Sequence, residues 1–463
     1  MIIKIFIKWE SSNDMRILMV CNYYAPENTI AAVRISKLVK YFKLEGHDID
    51  VLTEKKVDFA IDDSLISDME GVKINYIQNS HKFSLFYEKY KKILKPHKDK
   101  RLARLDNRER INKKTGNTEF YPFETAYPII GSLDYLVNQL RQKNLFYDAR
   151  SKFDFTKHYD YIITSYGDSF CYFFGKYYKK NNKTTKWVFD IRDAVYRYKF
   201  VPKYIEWIPK MYEKYIWKNA DEIVGVSQGI CDRVPKKYGS KVHLITNGFD
   251  GEIDKTTSIK RISDKMTFTY TGSMYGGLQD LSKFFEAFSC LVNEQKIDVS
   301  RCEFVYAGNK SAFDIFITQA RKYSLSEHCI YKGKISRLES IDLQKSSDIL
   351  LMASYGYKHN NGGIITGKIF EYMASNRPVI AIVSGDIENS EVSKIIKKTN
   401  IGICYEKYNN QNDLCMLKKY ILKQYNLFVA NKELEYHPDR KEVSKYNYKN
   451  IANGYISILC TRR

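Results

Sequence analysis

Thr366-Gly-Lys-Ile-Phe-Glu-Tyr-Met-Ala-Ser-Asn-Arg-Pro-Val-Ile380 reads as loop, helix, tight turn and buried strand. Gly362 and Gly363 open the loop, and Lys368 to Ala374 is one helical run. Asn376 and Arg377-Pro378 stop it, because proline has no amide hydrogen to continue the ladder. Val379 to Val383 is an apolar strand. The start of such a helix offers unpaired N–H groups and a partial positive charge, which suits a phosphate. Lys368 adds a full charge in the first turn. Glu371 follows one turn later on the same face, where a carboxylate can accept from two sugar hydroxyls. Phosphate donors and a diol acceptor one turn apart are what a nucleotide requires. The plain alternative is a surface helix with both charges solvated, and this pattern alone does not separate the two.

The same alternation extends on both sides. In the second half, strands are expected at Thr267–Thr271, Glu303–Ala307, Cys329–Lys332, Asp348–Met352, Pro378–Val383 and Gly402–Tyr405, with helices such as Leu281–Val292 and Ser336–Ser346 between them. In the first half, Arg16 to Tyr24 is a strand and Ala31 to Glu45 an amphipathic helix, with Ile35, Leu38, Val39 and Phe42 at helical spacing. Asp48–Thr53 returns as strand, and the rhythm resumes at Tyr159–Ser165, Lys186–Asp190, Asp221–Ser227 and Lys241–Thr246. Strand–helix–strand repeats give parallel sheets. Polar residues after Asn247-Gly-Phe-Asp250 read as a linker to Asp264. Two parallel α/β units then enclose a cleft at their strands' carboxyl ends, where ligands of such sheets bind. Lys441 to Leu459 is one more helix, placed to brace the first unit.

A chain of 463 residues is too long for one core. Its net charge of +21 points to an anionic partner, although a coding bias toward Lys, Asn and Tyr gives the same balance. Nine scattered cysteines form no Cys-x-x-Cys pair and fit reduced thiols in a cytosolic protein. The eight histidines lack metal-ligand spacing, so no zinc site is expected. No apolar run is long enough to span a bilayer. Residues 1–14 read as an extension ahead of Met15-Arg-Ile-Leu-Met-Val20.

Residues 80 to 150 break the rhythm. Between Glu88 and Lys114 twelve Lys or Arg face four acids, with Tyr87, Tyr90, Ile93 and Leu94 interleaved. Such a segment can lie on an anionic membrane. A solvated insertion is the bland reading. No groove-reading motif is present, so nucleic acid is not an expected partner.

Further phosphate-friendly turns follow other strands: Tyr270-Thr-Gly-Ser-Met-Tyr-Gly-Gly277, Ala307-Gly308-Asn309 and Tyr331-Lys-Gly-Lys-Ile-Ser336. With these in order, the chain resembles the nucleotide-sugar glycosyltransferases of family four, from Met15 onward. The resemblance is carried by Ile17-Leu-Met-Val-Cys-Asn-Tyr-Tyr-Ala-Pro-Glu27, Trp187-Val-Phe-Asp-Ile-Arg-Asp193, Ala220-Asp-Glu-Ile-Val-Gly-Val-Ser227, Ile245-Thr-Asn-Gly-Phe-Asp250, Tyr270-Thr-Gly-Ser273 and Gly367-Lys-Ile-Phe-Glu-Tyr-Met-Ala374.

The resemblance implies the GT-B fold, two Rossmann-like parallel-sheet domains facing across a cleft. It implies an acceptor domain over residues 15–250 with the basic insertion at about 80–150, a nucleotide-sugar domain over 251–440, and a helix over 441–463 returning to the first. Glu371 matches the residue that binds the ribose hydroxyls; Thr366, Gly367 and Lys368 match the turn facing the diphosphate. Gly272, Ser273, Gly276, Gly277 and Gly308 fall on the other donor loops, and Lys334 and Ile335 where the base sits. Arg192 and Asp193 match the first-domain motif near donor sugar and acceptor, and Tyr172 aligns with a histidine that faces the sugar. Gly363 stands where many members have a first glutamate, and Gly276-Gly277 replaces a basic pair. The implied activity is retaining transfer without a bound metal or cofactor, to a glycan or undecaprenyl-linked acceptor at the inner membrane face during surface polysaccharide assembly. The alternatives are a sugar-nucleotide epimerase of the same fold and a non-catalytic nucleotide-sugar-binding scaffold.

Overall fold

The computed structural model describes residues 14–56, 59–103, 109–111, 118–120, 127–196, 201–252, 264–274, 278–356 and 365–460. Its first sheet starts from β1 (Arg16–Cys21), whose last five residues are buried. A strand covered on both faces has no polar side to show, and so reads as an unbroken apolar run. β2 (Asp48–Glu54), β3 (Lys73–Ile77), β6 (Tyr161–Tyr166), β7 (Lys186–Ile191), β8 (Glu222–Gly225) and β9 (Val242–Leu244) complete it, in the order β3-β2-β1-β6-β7-β8-β9 and all parallel. Between β3 and β6 lies a separate antiparallel pair, β4 (Glu109–Ile111) and β5 (Thr118–Phe120).

The second sheet has β10 (Met266–Thr271), β11 (Cys302–Ala307), β12 (Cys329–Tyr331), β13 (Ile349–Gly356), β14 (Val379–Gly385) and β15 (Gly402–Glu406), again all parallel, in the order β12-β11-β10-β13-β14-β15. In both sheets the strand order reverses beside the first strand, between β1 and β6 and between β10 and β13. Those reversals leave a crevice at the carboxyl ends. This is the GT-B architecture.

Helices cover both sheets. The first lobe has α1 (Ile30–Leu44), α2 (His81–Ala103), α3 (Pro128–Lys152), α4 (Ser169–Asn181), α5 (Trp207–Asn219) and the short α6 (Gln228–Cys231). Thr29 caps α1 by accepting from the Ala32 amide. The second lobe has α7 (Ser282–Asn293), α8 (Lys310–Arg321), α9 (Arg337–Ser346), α10 (Lys368–Ser375), α11 (Glu391–Thr399) and α12 (Asn410–Asn431). Asn376 ends α10 in the left-handed conformation, at φ 54°, before Pro378 starts the next turn.

Two expectations change. The stretch 441–459 is not one helix: α13 (Arg440–Ser444) and α14 (Tyr448–Cys460) are separated by Asn447, whose side chain accepts from the Lys449 amide and starts a new helix. Where they are described, residues 80 to 150 are solvated only in part, since α3 is packed on the lobe while α2 has no fully buried residue along 81–96. α3 buries Val137, Leu145 and Ala149 against the first sheet, and α2 stacks Phe83, Tyr87 and Tyr90 in a row along one side. Much of the basic run beyond Lys95 lies outside the described residues.

The chain crosses between lobes twice, side by side. Outbound Phe249 donates to the Tyr446 carbonyl at 2.9 Å, and inbound Tyr448 donates to the Phe249 carbonyl at 2.8 Å. α14 then packs on the first lobe. Its Ile451, Tyr455 and Leu459 join Leu38, Val39 and Phe42 of α1 in one core.

Candidate active site

Three loops at the carboxyl end of the second sheet are joined edge to edge. Gly272 follows β10 at φ +92° and donates to the Ala307 carbonyl at 2.7 Å. Gly308 donates to the Gly333 carbonyl at 2.8 Å. A Cβ on Gly308 would sit 2.5 Å from the Gly272 carbonyl oxygen, so the close approach needs glycine there. The Tyr306 hydroxyl donates to that same oxygen at 2.6 Å. Backbone therefore forms the floor, as a site that must approach a diphosphate closely requires.

α10 closes the side of this floor. Lys368 reaches across to the Ser273 carbonyl at 3.3 Å and lies 5.2 Å over the Tyr270 ring. Burial lowers its ammonium pKa, opposed by Glu371 one turn on. An anion arriving there would meet a partly desolvated cation, which strengthens the attraction. In the first turn, Ile369 and Phe370 donate to the Thr366 and Gly367 carbonyls. A phosphate would thus meet the earlier amides of Gly367 and Lys368. A Cβ on Gly367 would lie 2.6 Å from Ile30 at the start of α1, so this helix tip faces the opposite lobe.

Glu371 pairs with Arg337 at 3.3 Å, and Arg337 also reaches Asp62 of the first lobe at 3.2 Å. Arg337 opens α9 just after Lys334 and Ile335, and a reciprocal cap between Ser336 and Glu339 fixes that start. Lys334 is exposed and Ile335 half-buried beside the Gly333 turn. Glu371, Lys368, Ser273, Gly272 and Gly308 therefore share one region, with the turn carrying Lys334 and Ile335 at its rim. Gly276 and Gly277 lie outside the described residues.

The opposite wall comes from the first sheet. Arg192 and Asp193 follow β7 and pair at 3.3 Å, with 43% of the Asp193 side chain exposed. The Arg192 guanidinium lies 5.2 Å over the Tyr23 ring, and the Lys56 ammonium lies 3.4 Å from the same ring. Glu27 pairs with Lys56 at 2.8 Å. Burial raises the Glu27 carboxyl pKa, and Lys56 offsets part of that. Tyr23, Lys56, Arg192 and Asp193 make a charged shelf at the carboxyl ends of β1, β2 and β7.

Tyr172 is a correction. It is 2% exposed and stacks on Tyr212 at 4.4 Å within the first lobe's core. The α4 turn points it between helices, and burial pushes its hydroxyl above the ordinary value. It does not reach the cleft.

Three contributors escaped the sequence reading. Arg34 is fully buried; it binds Asp190 through Nε at 3.2 Å and Nη2 at 2.9 Å, and the Ile245 and Thr246 carbonyls at 3.1 and 2.7 Å. It fixes the strand that presents Arg192 and Asp193 to the segment leading out of the lobe. Its one sequence signal is a charge on the apolar face of α1. Arg337 gave no signal, because it reads as an ordinary first-turn residue. Glu391 of the second lobe accepts from the Gln228 and Gly229 amides of the first at 2.7 and 2.8 Å, a contact between parts remote in sequence.

Residues 265–409 match the family described as Glycosyl transferases group 1. No curated protein matches the chain. Solved structures share the whole two-lobed arrangement. The lipopolysaccharide outer core galactosyltransferase WaaB in its apo form aligns over 97% of this chain and 100% of that chain, at 11% identity and TM-score 0.55. The Candida albicans trehalose-6-phosphate phosphatase N-terminal domain aligns over 98% of each, at 11% identity and TM-score 0.57. A point mutant of S. aureus TarM, in complex with Fondaparinux, alpha-GlcNAc-glycerol and UDP, aligns over 96% of this chain and 99% of that chain, at 12% identity and TM-score 0.54. These likenesses establish the fold. The group 1 match lies within the second lobe, and the solved structures extend the GT-B likeness over both lobes.

Proposed function

We propose that the chain moves a sugar from a nucleotide-sugar donor to a glycan or undecaprenyl-linked acceptor, with retention and without a metal, in lipopolysaccharide or capsule assembly at the inner face of the plasma membrane. The observation that carries this is the meeting of Lys368 and Glu371 with the Gly272, Gly308 and Gly333 loops. Lys368 and the Gly367 and Lys368 amides stabilise the leaving diphosphate, Glu371 holds the ribose diol, and the Lys334–Ile335 turn lines the base. Arg192 and Asp193 position sugar and acceptor from the facing shelf. Closure of the lobes excludes water and limits donor hydrolysis. The lipopolysaccharide role of WaaB supports a surface-glycan context, and the UDP in the TarM complex supports a nucleotide donor. No helix among the described residues is long and apolar enough to cross a membrane, so the proposed attachment is peripheral.

Calorimetry against UDP-, GDP- and ADP-sugars tests the donor assignment. Glu371→Ala is expected to weaken the preferred donor by about tenfold or more, since hydrogen bonds to a charged group contribute roughly 1.5–3 kcal/mol. Unchanged affinity would remove Glu371 from the site. Donor turnover without any acceptor would favour the epimerase reading.

A further inference from the structure

Two helices of the first lobe turn apolar side chains outward. On α3, Ile129, Leu133, Leu136 and Leu140 recur at helical spacing and are 80%, 49%, 40% and 52% exposed. On α5 and the turn before it, Tyr204, Trp207 and Met211 form a second stripe, 72%, 60% and 49% exposed. The stripes are neighbours. The turn at Lys203–Ile205 lies against α3, and the Tyr212 hydroxyl donates to the Gln139 side-chain carbonyl at 3.3 Å between the helices.

The free charge on this face has one sign. Lys143 on α3 and Lys214 and Lys218 on α5 are exposed, the last two on the same side of α5 as Trp207 and Met211. The acids nearby are engaged elsewhere. Glu213 accepts from the Tyr196 amide and pairs with Arg233, Glu206 holds Lys210 and the Tyr196 hydroxyl, and Asp148 accepts from the Gln78 amide. Asp134 on α3 is half-buried.

We propose that this α3–α5 face seats on an anionic lipid bilayer. Trp207 and Tyr204 would lie at headgroup depth, the leucine stripe at the acyl boundary, and the lysines on lipid phosphates. Charge chooses lipid over a second copy of the chain, because a two-fold contact would set the same lysines against one another. None of the residues named here belongs to the basic run of residues 88–114. It deepens the peripheral attachment in the reading above and rests on that reading only for why attachment is useful. The binding test needs no sugar transfer, so the two stand or fall separately.

The full chain is sedimented with phosphatidylglycerol-containing vesicles and with phosphatidylcholine vesicles. Two variants accompany it, Lys143→Glu/Lys214→Glu/Lys218→Glu and Leu133→Ser/Leu136→Ser/Trp207→Ser. All the changed residues are exposed, so the thermal midpoint should stay within a few degrees of the parent's, and Lys143→Arg/Lys214→Arg/Lys218→Arg should bind as the parent does. The parent is expected to bind only the anionic vesicles. The charge variant should bind on the order of a hundredfold more weakly, since each lysine near the surface contributes about 1 kcal/mol. The apolar variant should also lose binding, and salt should not restore it. Three results overturn the proposal: a parent that ignores anionic vesicles, variants that bind as the parent does, or a parent dimer that Leu133→Ser/Leu136→Ser/Trp207→Ser converts to monomer.

Discussion

In the proposed function, one side chain, Lys368, carries both recognition and leaving-group stabilisation. Its carbon chain packs beside Gly272, its ammonium rests on the Ser273 carbonyl, and burial leaves it underhydrated. A cation poised this way needs little reorganisation when diphosphate charge develops. Lys368→Ala is expected to lower kcat by about 10²–10³ with a much smaller change in donor affinity, read from steady-state transfer kinetics and calorimetry. Equal losses in both would mean that the lysine binds ground state and transition state alike. The residues of this loop and helix were legible in the sequence because glycine, lysine and glutamate at fixed spacing act locally. Tyr172 was not placed correctly, because its direction depends on how α4 is rotated against Tyr212 of α5, and an alignment of types holds no information on that rotation. Arg337 and Arg34 were missed because a charge that works through a tertiary partner resembles any other charge until the partner is brought beside it.

At the scale of elements, parallel strands were the readable part. The first five residues of Ile349–Gly356 and of Val379–Gly385 are buried and all apolar, which composition alone reveals. β3 escaped, since Lys73-Ile-Asn-Tyr-Ile77 is an edge strand with mostly half-exposed residues and no such run. α2 escaped because its lysine-rich composition hides which face is covered, and α3 because its apolar residues lie on both its buried and its exposed side. α14 shows the reverse case, a plain helix whose burial decides its worth. Tyr455 is fully buried and meets Phe42 edge-on at 5.6 Å. Tyr455→Ala is expected to destabilise the chain by about 3–5 kcal/mol through lost contact and a residual cavity. Urea titration followed by tryptophan fluorescence checks it; a loss below about 1 kcal/mol would show that α14 adds little to the first lobe.

The whole molecule depends on how the lobes are held. Asp250 lies where the chain leaves the first lobe and binds Lys37 at 2.7 Å, Lys40 at 3.0 Å and the Tyr41 hydroxyl at 2.5 Å. Burial alone would raise its carboxyl pKa, but Lys37, Tyr41 and Lys40 hold it well below the usual carboxylate range. A depressed folded pKa stabilises above the unfolded value of roughly 3.9, and the benefit is lost as pH falls toward the folded one. Asp250→Asn should therefore lower the thermal midpoint at pH 7, with the gap from wild type shrinking below about pH 4. A gap independent of pH would mean that the carboxylate charge is not what stabilises the crossing.

Glu391 acts on the same scale without being near the donor floor. Its carboxylate spans the lobes to the Gln228 and Gly229 amides, and burial raises its pKa while those amides oppose the rise. A half-buried carboxylate whose hydrogen bonds come from amides on the other lobe keeps them only while the lobes are close. Opening the cleft breaks both hydrogen bonds, so Glu391 biases the molecule toward the closed form. Glu391→Ala should shift that balance by roughly tenfold toward the open form, taking about 1.5 kcal/mol for the charged contact. If only the closed form grips the donor, apparent affinity falls by up to the loss in closed population. The variant should show a larger radius of gyration by small-angle scattering without donor and weaker donor binding, and saturating donor should restore the compact value. A variant as compact as wild type with unchanged affinity would mean that the lobes are held by the paired crossing at Phe249 and Tyr448, with the Glu391 contact following closure rather than driving it.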